Sequence, residues 1–264
     1  MNVKYDYANK VALVTGAGSG MGRSTALAFA RCGAQVVVAD ADPDGGMGTV
    51  EMIAAGGGAA SFVRTDVSDS ASVQAMIAHG LKEYGRIDVA FNNAGIAGGA
   101  PFHETSEAEW DRIIAVNQRG VFLCLKYEIR EMLKAGRGGA IVNTSSTNAL
   151  DPIPYCSAYN ASKSAVLSLT RTAALEYAGA GIRINAIIPG TIMTPMIERG
   201  LAGNPRGHER MVQYSAMKRI GDPAEIAQAV LWLCSEAASY VHGTELAVDG
   251  GHLAGTYELQ PDAR

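Results

Sequence analysis

Short runs of apolar and β-branched residues recur along the chain, separated by segments in which apolar residues have helical spacing. Seven runs predict strands: Val11–Thr15, Gln35–Asp40, Ala60–Arg64, Ile87–Asn92, Ala140–Thr144, Arg183–Ile188 and Glu245–Val248. The intervening segments predict helices, roughly at Met21–Cys32, Ser70–Tyr84, Ser106–Lys134, Cys156–Tyr177 and Pro223–Cys234. The strand runs are apolar at almost every position, which is typical of strands covered on both faces. The alternation predicts an α/β fold, a doubly wound parallel sheet of about seven strands flanked by helices.

One segment, from Met193 to Arg219, interrupts this alternation. It contains several glycines and prolines among short apolar patches. A long irregular segment inside a compact domain is usually a lid or a binding loop. We expect residues 193–219 to form a substrate-binding lid within a single domain that spans residues 1–264; a mobile surface insertion is the alternative.

Composition and charge narrow the possible partners. The chain has 264 residues, is 48% hydrophobic and carries a formal net charge of −4. A mildly acidic protein lacks the basic surface that binding to a phosphate backbone requires. The first residues lack the apolar core of a signal peptide, and no apolar run is long enough to span a membrane. We expect a cytoplasmic protein with a small-molecule substrate and with no nucleic-acid or membrane partner.

The cysteines and histidines do not suggest a metal site. Cys32, Cys124, Cys156 and Cys234 are far apart in the sequence, and no cluster of cysteine and histidine has the spacing of zinc ligands. We expect reduced cysteines that fill apolar space.

A glycine-rich turn joins the first predicted strand to the first predicted helix. It has the pattern TGxxxGxG over Thr15–Gly22. Glycines let the backbone approach a pyrophosphate closely, and the helix N-terminus supplies N–H groups and a positive dipole end. We expect a Rossmann-like dinucleotide site that includes Gly16, Ser19, Gly20, Met21 and Gly22. A plain strand-to-helix turn is the alternative.

Asp40 ends the second predicted strand, where a carboxylate can accept hydrogen bonds from the adenosine ribose. The same charge would repel a 2′-phosphate, and no basic residue follows, because the next two residues are Ala41 and Asp42. These features favour NAD over NADP. The alternative is an Asx turn that closes the strand.

Two further strand ends carry polar residues at the same expected edge. Asp66 and Val67 follow the third predicted strand, and Asn93, Ala94 and Gly95 follow the fourth. Asp66 could hold the adenine amino group, and the run from Asn93 to Gly95 could pass beneath the cofactor. Ordinary loop chemistry would also explain these residues.

Tyr159 and Lys163 are four residues apart in a predicted helix, so their side chains project from one face. A neighbouring ammonium group favours the phenolate and would lower the pKa of the tyrosine. Ser146 follows the fifth predicted strand and can reach the same point. Asn117 is in a predicted helix although asparagine is a poor helix former, so we expect it to bind a water or bend the helix. A solvated helix face and a tolerated polar residue are the alternatives.

Taken together, these motifs resemble the short-chain dehydrogenase/reductase family, in its compact single-domain branch. The shared pattern comprises TGxxxGxG, NNAG, Asn117, Ser146, YxxxK and the later Pro189-Gly190 with Thr194, and it extends from Lys10 to about Gly251.

The resemblance implies a role for each matching residue. Ser146 would polarise the substrate oxygen, Tyr159 would transfer the proton, and Lys163 would hold the nicotinamide ribose. Asn117 would continue a proton relay through water. The carboxamide would be bound by Thr194 and by the backbone near Ile192, after Pro189 and Gly190. The resemblance also implies a homotetramer in which long helices pair between subunits.

These features predict an NAD(H)-dependent oxidoreductase that interconverts a secondary alcohol, cyclic or aromatic, and its ketone. The substrate is expected to contact Ser146, Asn148, Tyr155, Met193 and Met196, although the methionines could instead pack the lid. The other candidate functions are an NADPH-dependent 3-oxoacyl thioester reductase, a non-catalytic NAD-binding sensor and a nucleic-acid-binding module. Asp40 and the absence of a basic cluster argue against the first, the Tyr-Lys-Ser set against the second, and the net charge against the third.

Overall fold

The computed structural model describes residues 5–201 and 205–255. Its sheet contains seven strands in the order β3-β2-β1-β4-β5-β6-β7, and every neighbouring pair is parallel. The strands are β1 (Val11–Thr15), β2 (Gln35–Asp40), β3 (Ala59–Arg64), β4 (Val89–Asn92), β5 (Gly139–Thr144), β6 (Ile182–Pro189) and β7 (Glu245–Val248). The predicted doubly wound parallel sheet is confirmed. The strand order reverses between β1 and β4, which is where such sheets bind ligands.

Helices cover both faces of this sheet. They are α1 (Gly20–Arg31), α2 (Pro43–Ala55), α3 (Ser70–Tyr84), α4 (Glu107–Ile114), α5 (Gly120–Ala135), α6 (Ser157–Tyr177), α7 (Pro195–Leu201), α8 (Pro205–Gln213) and α9 (Pro223–Cys234). Alternate residues of β1 face opposite layers: Val14 packs with Phe29 of α1 and Ile226 of α9, while Leu13 packs with Met76 of α3. Because both faces are buried, functional groups are concentrated at the strand ends.

The structure differs from the sequence prediction in three segments. Helix α2 was not predicted, the segment Ser106–Lys134 contains a π-helical turn at Ala115–Arg119 between α4 and α5, and the predicted irregular lid contains α7 and α8. Both lid helices begin at a proline, which suits the first helical position because its missing N–H would be unpaired there anyway. Residues 202–204 of the lid lie outside the described residues.

A buried carboxyl group lies in the layer between the sheet and α5. The side chain of Glu128 is 1% exposed, and its Oε2 accepts a hydrogen bond from Asn92 Nδ2 at 2.9 Å. Asn92 also donates to Asn143 Oδ1 at 3.0 Å. Glu128 Oε1 and Asn92 Oδ1 are both buried without a partner, and burial raises the pKa of Glu128 to about 7. A proton on Glu128 Oε1 would turn this unpartnered acceptor into a hydrogen-bond donor.

The raised pKa of Glu128 predicts a specific pH dependence of stability. The folded protein binds more protons at this site than the unfolded chain between about pH 4.5 and 7, so the stabilisation is present at low pH and is lost as the pH rises through 7. Relative to Glu128→Gln, the free energy of unfolding of the wild type should fall by up to about 3 kcal/mol between pH 4.5 and pH 8. Urea unfolding at both pH values measures this free energy in the two proteins. Equal changes in the wild type and in Glu128→Gln would contradict the prediction.

Candidate functional site

The carboxyl ends of the central strands border a cavity of about 380 Å³. This cavity, called the cleft below, extends from the glycine turn after β1 to the loop after β6. It brings together most of the predicted site residues: Gly16, Ser19, Gly20, Met21, Asp40, Asp66, Val67, Asn93, Ala94, Gly95, Ser146, Tyr159, Lys163, Pro189, Gly190, Ile192, Thr194 and Met196. Residues from seven separate chain segments therefore line one cavity.

Five predicted residues are not among those that line the cleft: Gly22, Asn117, Asn148, Tyr155 and Met193. Tyr155 is 64% exposed, and the backbone N–H of Asn148 donates to Ser146 Oγ at 3.2 Å, so Asn148 supports the serine from behind. The backbone N–H of Met193 donates to Gly221 O. The predicted contacts of Asn148, Tyr155 and Met193 with the substrate stay predictions.

The glycine turn leaves the start of α1 open toward the cleft. Ser19 is the N-cap of α1, yet its side chain makes no capping hydrogen bond. The N–H groups of the first turn therefore keep their capacity to bind an anion. Thr194 closes the other side of this opening, since a Cβ on Gly20 would lie 3.1 Å from its Cγ2. The arrangement fits a pyrophosphate held by backbone N–H groups.

Gly22 has a packing role in this turn. A Cβ at this position would lie 2.0 Å from the carbonyl oxygen of Gly16 and 2.7 Å from Asn93 Nδ2. That nitrogen in turn donates to the carbonyl oxygens of Thr15, at 3.1 Å, and Gly16, at 3.2 Å. Gly22 thus lets α1 approach the turn and the end of β4 closely.

Asp40 joins the glycine turn to the end of β2. Its Oδ2 accepts a hydrogen bond from the backbone N–H of Gly18 at 2.7 Å, and its Oδ1 accepts one from that of Asp42 at 2.9 Å. The second bond is the Asx turn that was the alternative interpretation. The residue also lines the cleft, so its carboxylate can both close the turn and contact a ligand.

Ser146, Tyr159 and Lys163 lie together at the other end of the cleft. The hydroxyl of Ser146, which follows β5, is close enough to the phenol of Tyr159 on α6 to lower the pKa of that phenol. Lys163 is one helical turn further along α6 and is 3% exposed. Its Nζ donates to Thr144 O at 2.9 Å and lies 5.7 Å from the centre of the Tyr159 ring. A polar substrate oxygen that reaches this point would meet both hydroxyl groups.

The pKa of Tyr159 is shifted in the opposite direction to the one predicted from the sequence. Burial raises this pKa, the nearby Ser146 hydroxyl lowers it, and the neighbouring Cys156 raises it. Burial also lowers the pKa of Lys163 to about 8. The lysine is directed at the Thr144 carbonyl, so it does not offset the desolvation of the phenol. The neutral phenol, a proton donor, is therefore the favoured form in this structure.

Asn117 lies in the π-helical turn and is fully buried. Its Oδ1 accepts from the Ile96 N–H at 2.8 Å, and its Nδ2 donates to Ile96 O at 2.9 Å and to Ser162 Oγ at 3.2 Å. The side chain thus attaches the segment after Gly95 to the helices behind it. A Cβ on Gly95 would lie 3.3 Å from Asn117 Oδ1 and 3.5 Å from Lys163 Nζ, so Asn117 contacts the back of the cleft wall.

Known proteins are similar to this chain over nearly its whole length. A family model described as "Enoyl-(Acyl carrier protein) reductase" matches residues 16–252. A "Short chain dehydrogenase/reductase astE" of Aspergillus oryzae is 46% identical over 255 residues, which cover 94% of this chain and 96% of the relative. The chain belongs to the short-chain dehydrogenase/reductase family. The predicted family is confirmed.

Other members of this family are similar along nearly their whole length. A cyclohexanol dehydrogenase of an Acinetobacter species is 42% identical, over 93% of this chain and 96% of the relative. A cis-4-hydroxycyclohexanecarboxylate dehydrogenase of Sinomonas cyclohexanicum is 43% identical, over 94% and 98%. The crystal structure of levodione reductase has a TM-score of 0.91 at 38% identity and covers 95% of this chain and 100% of its own. An Agrobacterium tumefaciens protein with bound NADP has a TM-score of 0.88 at 35% identity, over 97% and 100%.

As a member of this family of oxidoreductases, the chain uses a nicotinamide cofactor. Within residues 5–201 and 205–255, no group of three histidine, cysteine, aspartate or glutamate side chains could hold a metal ion. Over the same ranges, no helix has the length and apolar character needed to cross a membrane.

Some residues that line the cleft were not predicted from the sequence: Ala41, Thr65, Ile96, Val116, Thr144, Ser145, Pro195, Ile197 and Arg199. Most of them adjoin a predicted residue, so a wider window around each strand end would have included them. Arg199 lies beyond such a window, and no motif marks it.

A contact between distant residues joins the lid to the loop after Ser146. His252 Nε2 lies 3.0 Å from Asp151 Oδ2, and the imidazole stacks on Tyr214 with ring centres 5.2 Å apart. Tyr214 follows α8, so this contact connects three segments around the cleft. His252 and Asp151 are 101 positions apart in the sequence, so no local pattern predicts their contact.

Proposed function

We propose that this protein is an NAD(H)-dependent dehydrogenase that interconverts a cyclic secondary alcohol and its ketone. The observation that carries the proposal is the position of Ser146 beside Tyr159, with Lys163 one turn behind, at one end of a cleft whose other end holds the glycine turn and Asp40. A phenol beside a second hydroxyl group suits proton transfer at a carbinol oxygen.

Each residue of the cluster has a distinct task in this proposal. In alcohol oxidation, Tyr159 accepts the hydroxyl proton while Ser146 donates a hydrogen bond to the same oxygen and stabilises its developing charge. Ketone reduction reverses these transfers. Lys163, which donates to the Thr144 carbonyl, would also hold the ribose hydroxyls of the cofactor. A bound nicotinamide supplies the hydride acceptor or donor. Asn117 keeps the wall behind Lys163 in place.

The adenosine half of the cofactor would lie between the glycine turn and the ends of β2 and β3. Ser19, Gly20 and Met21 would bind the pyrophosphate, Asp40 the ribose, and Asp66 the adenine amino group. We propose NAD because the Asp40 carboxylate would repel a 2′-phosphate. One similar structure contains NADP, so membership of the family does not decide between NAD and NADP. A preference for NAD has to come from residues of this chain.

Replacing Asp40 with asparagine keeps the size of the side chain and a hydrogen-bond acceptor but removes the charge. The ratio of kcat/KM with NAD to kcat/KM with NADP should fall by about ten- to a hundredfold, because like charges a few ångströms apart repel by about 1–4 kcal/mol. The control is Asp44→Asn, since Asp44 lies in the first turn of α2 and does not line the cleft. An unchanged ratio in D40N would exclude the carboxylate from cofactor selection.

The proposed substrate class rests on the relatives and on the cleft wall. Relatives at 40–43% identity are described as acting on cyclohexanol, on cis-4-hydroxycyclohexanecarboxylate and on a dichlorocyclohexadienediol. Apolar side chains line the cleft on the lid side, from Ile192, Met196 and Ile197. We propose that residues 193–219 act as the lid over a compact ring.

A substrate panel tests this function. Purified protein is incubated with NAD or NADP and with cyclohexanol, substituted cyclohexanols, benzylic secondary alcohols and linear 2-alkanols of equal carbon number. NADH formation that is fastest with the cyclic compounds would support the proposal. Turnover of the linear alcohols alone would overturn the substrate class, and binding of NADH without turnover of any compound would favour the sensor. The homotetramer and the cytoplasmic location stay predictions.

A further inference from the structure

The lid helix α7 brings a basic side chain to the cleft. Met196, Ile197 and Arg199 line the cavity from this helix, whereas Glu198 does not. Thr194 and Pro195 lie against the glycine turn, since a Cβ on Gly20 would contact both. Arg199 is four residues after Pro195, about 6 Å along the helix axis and on the same face. Its position is therefore set by the contact between the lid and the turn.

The guanidinium of Arg199 is exposed and forms no hydrogen bond or ion pair with any residue of ranges 5–201 and 205–255. The other basic side chain that lines the described cleft, Lys163, is buried and donates to the Thr144 carbonyl. The acidic residues of the cleft, Asp40 and Asp66, lie at the ends of β2 and β3. Arg199 thus adds an unengaged positive charge on the lid side.

We propose that Arg199 binds an oxyanion of a ligand in the cleft, either a carboxylate on the substrate ring or the pyrophosphate of the cofactor. The planar guanidinium forms paired hydrogen bonds with either group. A chain with net charge −4 does not attract anions through its overall field, so a local cation is needed for this selectivity. The choice of these two ligands rests on the proposed function.

The test compares Arg199→Gln with the control Arg210→Gln. Arg210 is an exposed arginine of the other lid helix, α8, and does not line the cleft. The dissociation constant of NADH is measured by fluorescence titration. The NADH complex is then titrated with cyclohexanecarboxylate and with cyclohexanecarboxamide, which has nearly the same shape but no charge. These are binding measurements, so they remain valid if no cyclic alcohol is turned over.

The two arms distinguish the sources of the oxyanion. If Arg199 binds the pyrophosphate, NADH should bind about five- to tenfold more weakly to R199Q and unchanged to R210Q. If Arg199 binds a substrate carboxylate, the affinity of R199Q for cyclohexanecarboxylate should fall by a similar factor. Its affinities for the carboxamide and for NADH should then stay unchanged. If the wild type binds neither ring compound, the dissociation constant of NADH in the two variants tests the proposal alone. Three results would overturn the proposal. R199Q could bind NADH and the carboxylate as tightly as the wild type does, or it could lose equal affinity for the carboxylate and the carboxamide. The third is an equal loss of affinity in R199Q and R210Q.

Discussion

Replacing Tyr159 with phenylalanine is expected to lower kcat for alcohol oxidation by about 10²- to 10⁴-fold, the usual contribution of a positioned acid or base. The change removes the hydroxyl beside Ser146 and leaves the ring, so the packing of α6 is retained. NADH affinity should stay within about threefold of the wild type, because the phenol contributes to proton transfer more than to binding.

The pH dependence gives this prediction a second readout. Burial raises the pKa of Tyr159, so the phenolate that accepts the proton is populated only as the pH rises. Wild-type oxidation should therefore accelerate with increasing pH, and the residual activity of Y159F should lack this dependence. The control is Tyr240→Phe, since Tyr240 is a fully exposed tyrosine that does not line the cleft. Activity of Y159F within tenfold of the wild type would show that another group carries the proton.

Replacing Gly22 with alanine is expected to destabilise the protein by at least about 3 kcal/mol, the upper end of the usual overpacking cost. The new methyl group would lie 2.0 Å from the Gly16 carbonyl oxygen, which is backbone and cannot rotate away. Relief requires α1 to move from the turn, which would also weaken the hydrogen bonds of Asn93 Nδ2 and reduce NADH affinity.

A matched glycine of the chain serves as the control. Gly48 lies within α2, and a Cβ there would meet no atom nearer than Arg23 Nη2 at 4.0 Å. Gly48→Ala should therefore stabilise the protein slightly, by up to about 1 kcal/mol, through helix propensity. Urea unfolding measures both variants. If G22A unfolds at the same urea concentration as the wild type, the close approach of α1 to the turn is incorrect.

The sheet could be predicted from the sequence because its strands are buried on both faces, which makes them continuous apolar runs such as Val11–Thr15. Helix α2 could not, because Gly45, Gly46 and Gly48 weaken its helical pattern. Tertiary packing explains one of them: a Cβ on Gly46 would lie 2.1 Å from the Phe62 ring. A start signal was present, since Asp42 accepts from the Asp44 N–H and Pro43 follows it.

The candidate site was predictable where it depends on strand ends and on spacing along one helix. Asp40 and Ser146 follow strands, and Tyr159 and Lys163 share a face of α6, so parallel pairing alone brings them to one edge. The direction of the Tyr159 pKa shift was not predictable, because it depends on burial by distant segments. The packing role of Gly22 likewise depends on its contact with the Gly16 carbonyl, which spacing does not show.

The most direct test of the proposed reaction follows the hydrogen on the carbinol carbon. The best alcohol of the panel is prepared with deuterium at that carbon and is oxidised by the protein with NAD, and the NADH is analysed by mass spectrometry. We predict one deuterium in each NADH formed, and the rate at which this labelled NADH forms should fall in Y159F by the same factor as kcat. NADH without deuterium, or label released to water, would contradict direct hydride transfer from the carbinol carbon at this site.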